Sequence, residues 1–190
     1  MKNILKILMF ITIIAVAVVE TGCFGVMNAG EKFDAGDNDS WQKTVLSQDD
    51  GKSLSLELPF VLDGHQEITP GTALRKEEKY YHQVDDLTVA VDHGIMTDHN
   101  MEVEFSQENF LMDYGELDNQ VCEKIEEINV NGQKMTYAKI TAQKNNYPYT
   151  FECFAMHSEN DYWIITYIYN EKNTKSRKIV EKSIKTITFK

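Results

Sequence analysis

The dipeptide Asn131-Gly132 constrains this chain more than any other short stretch. Asn and Gly accept the positive φ angles of a two-residue type I′ turn, whose twist matches that of the strands it joins. It sits between two strand-like segments, Glu123–Val130 and Gln133–Gln143. Gln143 leads through Lys144-Asn145-Asn146 into Tyr147–His157, and Ser158-Glu159-Asn160-Asp161 turns the chain into Tyr162–Tyr169. Three such turns in succession predict an antiparallel meander. Its last two strands, YPYTFECFAMH and YWIITYIY, carry apolar or aromatic residues on both faces. That pattern belongs to central strands with a cover on each side of the sheet.

The rest of the domain is read around that meander. Trp41–Ser47 and Ser53–Leu58 form a hairpin about Asp49-Asp50-Gly51-Lys52, with Leu54, Leu56 and Leu58 alternating against Ser53, Ser55 and Glu57. Pro59 ends it, and Phe60 to Glu78 reads mostly as loop, broken by Gly64 and Pro70-Gly71. Lys79–Gln83 and Leu87–His93 make a second hairpin around Val84-Asp85-Asp86, interrupted at Gly94 and continued or bulged through Met101, Val103 and Phe105. Ser106 caps a first helix ending near Glu116, with Phe110, Leu111, Tyr114 and Leu117 as its apolar stripe. Asn170 or Asn173 caps a final helix to about Ser183, with Ile179, Val180 and Ile184 inward and Lys172, Lys175, Arg177, Lys178, Lys182 and Lys185 mostly outward. The expected class is α+β: an antiparallel sheet of about six to seven strands with helices packed on its faces, an α/β/α sandwich over residues 41–190.

Ahead of this domain lies a segment with a different role. Lys2 and Lys6 precede a 13-residue apolar run, Ile7–Val19, broken only by Thr12 and followed by Glu20-Thr21-Gly22-Cys23. A basic start, a short apolar stretch and small residues before the cut make a secretory signal over residues 1–22; the run is short of the 18 or more residues of a membrane-spanning helix. Thr21-Gly22-Cys23 resembles the end of a bacterial lipobox, which implies cleavage before Cys23 and acylation of that cysteine. Glu20 stands where that family carries Leu or another apolar residue. The alternatives are a soluble secretory signal cut after Ala17 or beyond Ala29, and an uncleaved anchor. Phe24–Ser40, with three glycines and no apolar period, reads as a flexible tether of 17 residues, reaching about 20–25 Å. The expected location is the extracytoplasmic face of a bacterial membrane, lipid-anchored through Cys23, with secretion as the alternative.

Hairpin, second hairpin, helix, meander and closing helix, in that order, resemble the PsbP-like fold. The photosystem II extrinsic protein PsbP, a Ran-GTPase nucleotide-release factor and many bacterial lipoproteins share it. The likeness is carried by Leu46-Ser47-x-Asp49-Asp50-Gly51-Lys52-Ser53-Leu54-Ser55-Leu56-x-Leu58-Pro59 and by Ile179-Val180-x-x-Ser183-Ile184. A tryptophan common in that family just after the opening proline is absent here. The resemblance implies a fold and no activity, since no functional residue of the family maps onto a position of this chain.

Charge narrows the partners. Without residues 1–22, which hold Lys2, Lys6 and Glu20, the 19 Lys+Arg and 30 Asp+Glu of the chain become 17 and 29, a net charge of about −12. Such a chain repels phosphate backbones, and no basic cluster interleaved with aromatics is apparent, so nucleic acid is not an expected partner. Adsorption to anionic lipid through a polybasic patch is disfavoured on the same ground, which leaves acyl chains as the means of membrane attachment. Of Cys23, Cys122 and Cys153, the last two are expected as free thiols: the meander register puts them two strands apart, beyond the reach of a disulfide.

The residues that suggest chemistry are few. Asp92-His93 and Asp98-His99 could gather two imidazoles and two carboxylates near a bulge at Gly94, a borderline ligand set suited to Zn²⁺; the bland reading is a polar surface loop. Tyr147, Tyr149, Phe151, Tyr162, Trp163, Tyr167 and Tyr169 could line a groove for a peptide, glycan or apolar ligand, or fill two cores. The latter is preferred. No G-x-S-x-G, H-E-x-x-H or phosphate-cradling glycine loop occurs. The expectation is therefore a non-enzymatic binding or interaction module for a protein or small molecule, with no cofactor and no catalytic residue. A metal-dependent extracytoplasmic enzyme using Asp92, His93, Asp98 and His99 is the alternative, and a structural accessory subunit of a surface complex is a third.

Overall fold

A computed structural model describes residues 41–47, 51–98, 105–108 and 117–190. Two antiparallel sheets lie over one another. The smaller contains β1 (Gln42–Ser47), β2 (Ser53–Leu58) and β10 (Thr188–Phe189), in the order β1-β2-β10. The larger has seven strands: β3 (Gly64–Ile68), β4 (Leu74–Val84), β5 (Leu87–Met96), β6 (Asp118–Val130), β7 (Gln133–Lys144), β8 (Tyr147–Ser158) and β9 (Asp161–Tyr169). Their order is β3-β4-β5-β9-β8-β7-β6, so the meander folds as expected and its last strand inserts beside β5 at the centre. The turns follow from residue type. Asn131 (φ 50°) with Gly132 (φ 87°), and Asn145 (φ 52°) with Asn146 (φ 63°), occupy the left-handed region that two-residue hairpins require.

Every residue of β9 is buried. Its alternate side chains feed two clusters. On one side Trp163, Ile165, Tyr167 and Tyr169 meet Leu54, Leu56 and Leu58 of β2, each 0% exposed. Burying a leucine completely contributes about 1.5–3 kcal/mol, so β2 acts as an apolar strip laid across the large sheet. Beside it lies α1 (Thr174–Ile184), which inserts Ile179 and Val180 into the same cluster. Asn173 caps this helix by accepting from the backbone N–H groups of Lys175 and Ser176. Asp86, at the β4–β5 turn, accepts from Asn173 Nδ2 (2.6 Å) and Ser176 Oγ (2.7 Å), clamping the cap to the sheet. On the other side Tyr162, Ile164 and Ile168 pack with Phe151, Cys153, Ile140 and Leu117.

Among the described residues α1 is the one helix of more than a turn, and a three-stranded sheet shares with it the cover of one face; a helix layer on the other face is not seen among them. Two expectations are corrected. Phe60–Glu78 is not mostly loop: it contains β3 and the first half of β4, missed because His65-Gln66-Glu67 and Arg75–Lys79 lack apolar alternation. Gly94 does not interrupt β5. It pairs regularly with Glu77 and Tyr162, and the register shift falls across the sheet between Leu74 and Lys76. The opening hairpin forms as expected and makes the core of the smaller sheet. The strand read at Met101–Phe105 and the helix read at Ser106–Glu116 lie mostly outside the described residues; within them Gln107 and Glu108 are helical.

Candidate functional site

Strands β4 and β5 place opposite pairs of residues alternately on the two faces of the large sheet, because successive side chains in a strand point opposite ways. Lys79 stands across from Asp92 and Glu78 across from His93. Two polar constellations result.

The first is sealed. Lys79 Nζ lies 2.9 Å from Asp92 Oδ1, with side-chain exposures of 0% and 4%. The two are close but poorly aligned for a hydrogen bond, and Asp92 Oδ2 has no hydrogen-bond partner. Burial pushes the Asp92 carboxyl up, against the pull of Lys79. Tyr162 donates its hydroxyl to Glu77 (3.4 Å). Burial, then the charge of Asp92, also raise Glu77. The Tyr162 ring lies so tightly over Gly94 that a Cβ there would meet it at 2.3 Å, and this close approach is what the glycine provides.

The second constellation opens to solvent at one end of the sandwich. Its centre is Glu78, whose side chain is 11% exposed. Lys76 Nζ stands 3.0 Å from its Oε1, His65 Nε2 3.7 Å from the same oxygen, and His93 Nδ1 3.8 Å from Oε2. Tyr80 donates its hydroxyl to Oε2 at 3.4 Å. Burial alone would raise the Glu78 carboxyl, but the ammonium of Lys76, aided by His93 and His65, holds it below its ordinary value. His93 is sandwiched against Trp163 with ring centroids 4.1 Å apart, and His65 stacks on Tyr80 at 4.7 Å. Burial lowers His93 to about 4, opposed by the charges of Asp161 and Glu78, so its imidazole is neutral at pH 7. Asp161, itself buried, pairs with Lys52 of the β1–β2 turn at 3.2 Å. His65 and Lys76, 45% and 47% exposed, form the open side. The arrangement presents a carboxylate, an ammonium and an imidazole over an aromatic floor, which suits hydrogen-bonded recognition of a polar group.

Of the residues singled out from the sequence, Asp92 and His93 are buried on opposite faces and are not brought together. Asp98 is exposed beyond the end of β5, and His99 lies outside the described residues. Among the described residues no group of three or more His, Cys, Asp or Glu side chains has an arrangement that could hold a metal ion. Cys122 and Cys153 are not joined in a disulfide; they lie on β6 and β8, opposite Ile140 and Ala138 of the intervening β7. The aromatic set fills both cores, Phe151 and Tyr162 on one side and Trp163, Tyr167 and Tyr169 on the other, with Tyr147 left 37% exposed. His65, Lys76 and Glu78 were missed. Hairpin symmetry about Asp85-Asp86 could have found the last two, since a β5 reaching Ile95 needs a β4 reaching back to Lys76.

No family model matches the sequence, and neither does any curated protein. Solved structures show distant similarity. One is a Bacteroides thetaiotaomicron protein (12% identity, TM-score 0.40, 72% of this chain and 45% of that one). Another is LpqN, involved in cell envelope biogenesis of Mycobacterium tuberculosis (12%, TM-score 0.42, 78% and 91%). A third is a Pseudomonas aeruginosa protein of unknown function (9%, TM-score 0.38, 74% and 91%). The chain spans less than half of the Bacteroides protein. At these scores the similarities carry no functional argument.

Proposed function

We propose that this protein is a non-enzymatic binding module held on the outer face of a bacterial membrane by acyl chains on Cys23. The observation that carries the reading is Thr21-Gly22-Cys23 placed directly after a 13-residue apolar run with a basic start. The 17-residue polar stretch that follows is long enough to hold a folded domain clear of the headgroups, about 20–25 Å. The likeness to PsbP-like lipoproteins belongs to the same reading: its opening motif runs from the end of β1 through β2, and its closing motif lies in α1. Recognition is assigned to the Glu78 constellation, because it combines charged and aromatic groups with an open side at His65 and Lys76.

Intact-mass analysis of membrane fractions tests the anchor. The wild type is expected to begin at Cys23 with acyl mass added, and Cys23→Ala to lose it. An unmodified N-terminus at another residue would sink the proposal.

A further inference from the structure

The acidity of the chain is not spread evenly. Residues 172–190 hold seven Lys or Arg and one acidic residue, Glu181, while residues 23–171 hold 10 Lys or Arg against 28 Asp or Glu. Four of the cations, Lys175, Lys178, Lys182 and Lys185, recur at i, i+3, i+7 and i+10, and so share one flank of α1. The flank is set by what the helix buries: Ser176, Ile179, Val180 and Ser183 face the core. Lys178 and Lys185 are exposed, and Lys175 and Lys182 half-buried. Lys175 is 3.7 Å from Asp85. Lys182 lies over the ring of Trp41, 4.0 Å from its centroid.

Trp41 is the residue at which the tether enters the domain, so this contact puts the lysine flank at the root of the tether. We propose that the lysine flank of α1 docks on anionic phospholipid headgroups and orients the domain on the membrane. This rests on the reading that Cys23 anchors the chain. Net composition alone argued against such adsorption; the chain segregates its charge, and an acidic body beside an anionic surface is favoured with a cationic flank turned inward. Attraction between exposed charges fades over about 8 Å at physiological ionic strength. A tether of about 20–25 Å, rooted at the flank, keeps it within reach of the surface. The aromatic ring of Trp41 beside Lys182 is also the chemistry favoured at the headgroup level. Docked this way, the domain presents its other surfaces outward.

Co-sedimentation of the full mature chain carrying Cys23→Ala, at low ionic strength, reads the contact without the anchor. Vesicles of phosphatidylcholine are compared with vesicles containing one third phosphatidylglycerol. Binding is expected only to the latter, weakening about tenfold in Lys178→Glu with Lys185→Glu. Lys124→Glu with Lys134→Glu, which changes the net charge equally at exposed positions on β6 and β7, is expected to leave it within about twofold. Circular dichroism of both variants checks that each is folded. No binding to phosphatidylglycerol, or equal losses in the two variants, overturns the proposal. So does binding that arises only when Asp34, Asp37 and Asp39 are changed to Asn, which would make the acidic tether the occupant of the flank. The intact-mass result is independent of all these, so loss of the anchor reading and loss of headgroup contact are told apart.

Discussion

The two faces of the β4–β5 hairpin use similar side chains for opposite purposes. On one face Lys79, Asp92 and Glu77 are closed under Tyr162; on the other Glu78 and His93 lie beneath a mouth formed by His65 and Lys76. Access to water separates them. A sealed ion pair loses the solvation of both charges and serves the fold only while both partners are present. A pair at a mouth keeps part of its hydration and stays available to a ligand. The lesson is that charge content does not identify a site in this molecule, whereas a path to solvent does.

The comparison breaks first at Lys79. Replacing it with Met leaves Asp92 buried and unpaired, and urea denaturation is expected to show a loss of about 3–5 kcal/mol. Lys79→Met with Asp92→Leu should restore most of that. A double variant as unstable as the single one would show that the pair holds the face together in some other way.

The open face should respond to pH through His93. Its folded value of about 4 lies below the ordinary 6.5, so the neutral ring is favoured in the fold. The corresponding stability is present above pH 6.5 and drains away as pH falls toward 4. Between pH 7.5 and 5 the loss is expected to be about 2 kcal/mol. Comparing denaturation midpoints of the wild type and His93→Gln isolates it; an unchanged pH dependence in the variant would assign the effect to other groups.

Gly94→Ala tests how tightly the sealed face is closed. The added methyl must displace the Tyr162 ring, at a cost of about 1–3 kcal/mol, and Tyr162→Leu in the same chain should relieve part of it. The smallest effect is expected at the mouth: His65→Ala should change stability by less than about 0.5 kcal/mol. A larger loss would mean that the mouth is structural after all.

The difference also explains what the sequence revealed. The meander was legible because Asn131, Gly132, Asn145 and Asn146 are residues that accept positive φ, a local property. The closing helix was legible through Asn173 and the Ile179–Val180 stripe. The first half of β4 was not, because its charges are accommodated by partners on β3, β5 and β9 that lie far away in sequence. The Glu78 constellation draws on β3, β4, β5 and β9, and no window of sequence holds it. Asp92 and His93 misled for the converse reason. Adjacent in sequence, they are kept apart by the alternation of the strand that carries them.

The smaller sheet has a consequence in time. Ser53 and Lys190 exchange both backbone hydrogen bonds, each at 2.9 Å, where β10 completes the free edge of β2. The residues the two strands pair, Ser55 with Thr188 and Leu54 with Phe189, are more than 130 positions apart in the chain. A polypeptide made amino end first therefore presents β2, with its three leucines and one edge awaiting β10, long before the strand that closes it exists. The last step in assembling the smaller sheet is set by the order of synthesis, and until then the edge of β2 is open to pairing with other strands.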